Sequence, residues 1–169
     1  MKKTSFLARV LQTAVAGTAL ALGLTLSAKA LTLEETGRVT ALLVELAPDL
    51  GPYAYDEEEA DRLFDEDAAS ENLIAAAGFS RDSWREALAV TFSGYLATIP
   101  EDEFSRRLSQ PMQRLDEAAG LSDEQKAEIR AWAEQEIAAL VKLREEGARH
   151  LDAVRPHAEE LDRLFNAEE

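Results

Sequence analysis

The chain has 169 residues, no cysteine, and 33 Asp and Glu against 18 Lys and Arg, a formal net charge of −15. The missing cysteine excludes disulfide frameworks, thiolate metal sites and a lipid-modified cysteine. The acidic field disfavours nucleic acid and anionic membrane surfaces, which are bound chiefly through Lys and Arg, and favours solubility, cations and basic partners.

Residues 1–30 carry Lys2, Lys3 and Arg9, then a nearly uncharged run from Val10 to Ser27, then Ala28-Lys29-Ala30. Basic region, apolar region and small-x-small site, in that order, are the marks of a cleaved secretory signal peptide. Its most apolar part, Ala14 to Leu26, is short of the roughly 20 residues a spanning helix needs, so no membrane span is expected after cleavage. No twin arginine precedes it, which points to the general secretory route and a periplasmic location. Cleavage removes four cations and no acid, leaving a net charge of about −19 on residues 31–169. That remainder reads as a single helical domain, long enough to bury a core.

No period-2 strand pattern of any length occurs in it, whereas helix-spaced apolar stripes and helix caps recur. Thr32-Leu33-Glu34-Glu35 has the form of a capping box. Val39, Leu42, Leu43 and Leu46 follow on one face until Pro48 and Gly51-Pro52, which predict a stop. Tyr53 and Tyr55 fall in the loop beyond.

Asp56 to Glu71, DEEEADRLFDEDAASE, places nine carboxylates among its residues with Arg62 as the single cation. Ala60, Leu63, Phe64 and Ala68 nevertheless make it an amphipathic helix. Ser70 is then expected to cap a short helix over 71–77, terminated by a left-handed Gly78. Phe79, Ser80 and Trp84 have the spacing of a hydrophobic staple around an N-cap. The helix they open carries Trp84, Leu88, Phe92, Tyr95 and Ile99, with Pro100 closing it; a strand competes over its β-branched middle, but length and spacing favour helix.

Phe104, Leu108, Met112, Leu115 and Ala119 form the next stripe, with a kink or break expected at Pro111. Ser122 to Gln125 is another capping box, opening the longest helix. Its seam runs from Ile129 through Trp132, Ala133, Ile137, Leu140, Leu143, Gly147 and Leu151 to Val154, and Pro156 should bend or split it before Leu161 and Phe165. The fold expected is all-α, an antiparallel bundle of about five helices with one long C-terminal helix as its spine.

Four patterns could carry chemistry. In the acidic segment the calcium-loop spacing fails from Asp61, where the third position is Leu63, and from Asp65, where the sixth is Ser70 and the twelfth Ala76. A solvated helix face is the reading, with mutual repulsion expected to raise some of its carboxyl pKa values. His150 and His157, seven apart with Glu146 one turn earlier, are the alternative metal-ligand set, short of the three or four well-spaced ligands that zinc sites use. The pattern favours flanking residues beside the apolar seam, so neither metal nor cofactor is expected. Nucleophile elbows, P-loops and dinucleotide fingerprints are lacking, and an enzyme is not the expected class. Finally, Trp84, Tyr95 and Trp132 could line a groove between helices, although aromatics at helical spacing more often build core.

Leu121-Ser122-Asp123-Glu124-Gln125 resembles the Leu-Thr-x-x-Gln motif of small periplasmic helical stress proteins of the Spy/CpxP type, with Ser for Thr. Leu31-Thr32-Leu33-Glu34-Glu35 is similar, ending in Glu instead of Gln. The resemblance implies an exported, all-helical protein with chaperone-like binding of unfolded clients. The residues themselves lead to a periplasmic helical bundle acting by binding, foremost to a basic or other envelope protein. A small-ligand or metal-ion carrier and self-association through the Gly147 seam are the competing readings.

Overall fold

The structure, a computed structural model, describes residues 32–50 and 57–166. The signal-peptide expectation, Tyr53, Tyr55 and the last two glutamates lie outside the described residues. Among those residues the fold is all-α, a helical bundle with one long helix toward the C-terminus. Its elements are α1 (Leu33–Leu50), α2 (Glu57–Ala69), a short α3 (Leu73–Ala76), α4 (Arg81–Thr98), α5 (Glu101–Glu117) and α6 (Asp123–Gly147). A 3-10 turn at Ala148–His150, α7 (Leu151–Val154), a second 3-10 turn at Arg155–His157 and α8 (Ala158–Phe165) complete the chain.

Local chemistry starts α1, α4 and α6 where the side chains predict. Thr32 Oγ1 accepts from the Glu35 backbone N–H at 3.1 Å while the Glu35 carboxylate accepts from the Thr32 N–H, also at 3.1 Å. Ser122 and Gln125 repeat the exchange at the start of α6. Ser80 pairs with Ser83 at α4, and the Phe79 ring meets Trp84 edge-on with centroids 5.8 Å apart, closing the staple. Such caps satisfy orphan N–H groups and contribute about 1 kcal/mol each. Gly78, at φ 91°, ends α3; its N–H bonds to Ala75 O and that of Phe79 to Ile74 O, a turn a side chain would strain.

Three boundaries sharpen or correct the expectation. α1 runs past Pro48 to Leu50, directly before the Gly51-Pro52 pair that was the other expected stop. α5 continues through Pro111, whose ring is buried, so packing offsets the missing N–H. Ser70 does not cap α3: its hydroxyl donates back to the Glu66 and Asp67 carbonyls. The cap is Asp67, a buried carboxylate accepting from the Leu73 and Ile74 N–H groups at 2.8 Å each, with Asn72 left-handed between them. Ala68, assigned to the apolar stripe, is exposed, and Asp67 takes the inward place.

The spine also differs. α4, not the long helix, is the centre: α1, α2, α6, α7, α8 and both 3-10 turns pack on it. From Ala87 to Thr98 it has no acidic or basic side chain, so every face can be covered without stranding a charge. The cluster around it takes Val39, Leu42, Leu43 and Leu46 from α1, Ala60 and Leu63 from α2, Phe104 and Leu108 from α5, Val154 from α7, and Leu161 and Phe165 from α8. α6 reaches α4 at Gly147, where an added Cβ would lie 1.9 Å from the Ser93 carbonyl oxygen. The seam glycine thus makes an intramolecular crossing. After it the helix changes to 3-10 geometry at 148–150, a split that sequence alone did not indicate, while the split at Pro156 falls where expected.

Candidate functional site

The residues singled out in sequence are distributed over three places. Trp84 is fully buried and its indole N–H donates to the Ala60 carbonyl at 3.1 Å, tying α4 to α2. Tyr95, three turns along α4, is buried at the other end of the core. Its hydroxyl donates to Asp162 at 2.7 Å and accepts from Arg107 at 3.1 Å and from Asn166 at 2.8 Å. Burial and the Asp162 carboxylate hold this phenol above its ordinary pKa, so it stays a neutral donor. Arg107 also bonds Asp162 at 2.9 Å and Glu103 at 2.7 Å, so the cluster clamps α4, α5 and α8 together. Both aromatics are engaged by neighbours from the chain itself, and of the three predicted groove residues only Trp132 retains exposed surface.

Glu146, His150 and His157 are not gathered to one point. Glu146 lies 3.7 Å from Lys142, His150 is buried beside α4, and the His157 ring lies over Gly37 of α1, 3.5 Å from where a Cβ would stand. Among the described residues no three His, Asp or Glu side chains form a group that could hold a metal ion.

The carboxylates of α2 meet arginines. Glu59 and Glu66 flank Arg62 on the same helix, Asp61 accepts from Arg85 at 2.8 Å, and Asp65 pairs with Arg81. The Arg81 guanidinium holds the Asp65 carboxyl below its usual range, opposite to the rise that repulsion among neighbouring acids predicts. Arg81 and Arg85 come from α4, so this neutralisation was invisible within the acidic stretch.

The α5–α6 hairpin carries an apolar face that is only half covered. α6 fully buries only Ala133 and Gly147, leaving Ile129, Trp132, Ile137, Leu140 and Leu143 half-buried and Val141 39% exposed. The hairpin is pinned at both ends. Arg144 bonds Glu101 at 2.6 Å and the Ile99 carbonyl at 3.0 Å, with its guanidinium 4.9 Å from the Phe104 ring centre. At the far end Arg130 pairs with Asp116, and the Lys126 ammonium donates to the Asp116 carbonyl at 2.9 Å. Sequence reasoning placed these apolar residues, Val141 apart, on one seam of the helix. A helical wheel shows their phase but not how much of it a partner helix covers. The two segments resembling the Spy/CpxP motif use their Ser, Thr, Gln and Glu side chains as helix caps. Compared with known proteins, the chain matches no family model, no curated protein and no solved structure.

Proposed function

We propose that this is an exported protein that works by binding another protein of the bacterial envelope, using the α5–α6 hairpin as its contact surface. The observation that carries the reading is the half-covered apolar face of α6, from Ile129 to Leu143, held between clamped ends on an acidic chain. A tryptophan with exposed surface and a polar surround is the kind of residue that anchors protein interfaces, because its burial on binding removes a large apolar area from water. The acidic field favours a partner with a basic rim and makes encounter salt-sensitive. The signal-peptide pattern of residues 1–30 supports the location.

The test is affinity capture from periplasmic extract with the tagged protein, beside Trp132→Ser and Ile129→Ser variants. A reproducible partner held by the parent, weakened in both variants and reduced by high salt, supports the reading. Absence of any partner, or capture that both variants retain in full, overturns it.

A further inference from the structure

His150 ends the first 3-10 turn and is 4% exposed, in a chain with only two histidines. Its Nε2 accepts a hydrogen bond from Arg149 Nε at 3.0 Å. Guanidinium nitrogens only donate, so the neutral ring must carry its proton on Nδ1. That Nδ1 is buried and has no hydrogen-bond partner among the described residues. The ring's Cβ sits 3.3 Å from where a Cβ on Gly94 would be, at the place where the C-terminal segment meets α4.

We propose that His150 is an acid-sensitive latch: protonating its ring loosens the seat of the Ala148–Phe165 segment on α4 before the rest of the fold gives way. A second proton would occupy Nε2, abolish the acceptor for Arg149, bring two cations together, and leave a charged N–H buried without an acceptor.

The elements packed on this turn offer little compensation. α4 contributes no acidic or basic side chain from Ala87 to Thr98, and the Tyr95 hydroxyl is engaged with Asp162. In the last turn of α6, Arg144 pairs with Glu101, Glu145 is exposed, and Glu146 lies against Lys142. On α7, Asp152 has a 98% exposed side chain and lies beside Arg155. Burial, and then the Arg149 charge, hold the ring's pKa below the ordinary histidine value, in keeping with this geometry. The unfolded chain therefore takes up the proton first. The contribution of His150 is complete above about pH 6.5 and is lost as the pH falls below that value, until the folded ring itself titrates. At the far end of the segment, Asp162 with Arg107 and Tyr95 still pins α8, so release should begin at the turn.

Residue-resolved hydrogen exchange on the purified full chain at pH 7.5 and 5.5, corrected for intrinsic rates, tests the latch. Protection in 148–157 should fall by up to about tenfold, the bound set by going one pH unit below the ordinary histidine value, while α2 and the first half of α4 hold theirs. His150→Gln should abolish the difference and His157→Gln should keep it. A loss spread evenly over the chain, no loss at all, or the same loss in His150→Gln overturns the proposal. Should the glutamine variant not fold, the imidazole titration of the parent protein decides: a His150 midpoint below the ordinary histidine value supports the latch, and one equal or higher refutes it.

Discussion

α4 and α6 both carry a tryptophan, a run of aliphatic side chains and a glycine, yet α4 buries eleven of its 18 residues and α6 two of its 25. The difference lies in where their charges fall. α4 keeps Arg81, Asp82, Arg85 and Glu86 in its first third and none afterwards, so its remainder can be enclosed on every side. α6 distributes charged side chains along its whole length, and covering all its apolar face would strand some of them. An apolar stripe therefore indicates orientation, and the distribution of charge decides depth.

The two tryptophans break or sharpen this comparison most directly. Trp84→Ala should cost about 3–5 kcal/mol, since it opens a cavity and removes the indole bond to the Ala60 carbonyl. Trp132→Ala, from a half-buried site, should cost no more than about half of that. Urea unfolding of both variants measures the contrast, and equal losses would show that the hairpin is as integral as the core.

The glycines give the next largest effect, and here the sign decides. Ala for Gly within a helix ordinarily stabilises by up to about 1 kcal/mol. At Gly37, where the nearest atoms lie at an ordinary 3.5 Å, that gain should appear as a raised melting temperature. At Gly147 the methyl would collide with the Ser93 backbone, so Gly147→Ala should instead destabilise by about 1–3 kcal/mol. A stabilised Gly147→Ala would mean that the α4–α6 crossing is looser than described.

Smaller losses are expected at the polar clamp. Tyr95→Phe should cost about 1 kcal/mol, because Asp162 keeps Arg107 and Asn166 as donors after the hydroxyl is gone. Thermal unfolding would register this, and a loss as large as that of Trp84→Ala would make the clamp a second centre of stability. Smallest of all, Val141→Glu should leave the unfolding midpoint within about 0.5 kcal/mol of the parent, as surface changes generally do. A larger effect would place Val141 inside a packed layer, contrary to its exposure.

The features legible in the residues were those settled within one or two helical turns. Thr32, Ser80 and Ser122 cap the helices they were expected to cap, Gly78 takes its left-handed turn, and the α1 stripe from Val39 to Leu46 is buried as read. Asp67 was not legible as the α3 cap, because its two acceptor bonds span six and seven residues and no short-range pattern marks them. The aromatics were legible as a set but not in their separate roles. Only the folded chain shows Trp84 closed against α2 and Tyr95 wired to Asp162, 67 residues away. The reading of the acidic stretch as a helix face holds, whereas its arginine partners on α4 came from outside the stretch.

By itself the sequence determined that the described residues are helical, where α1, α4 and α6 start and which side of each is apolar, since capping and periodicity act over three or four residues. Tertiary structure alone decided that α4 and not the longest helix lies at the centre, that Gly147 is a crossing point, that His150 is buried without a partner for Nδ1 among the described residues, and that the α6 face stays half covered. Those outcomes depend on how all the faces share a limited buried volume, in which a helix that keeps its charges in the first third displaces one that carries charge along its length.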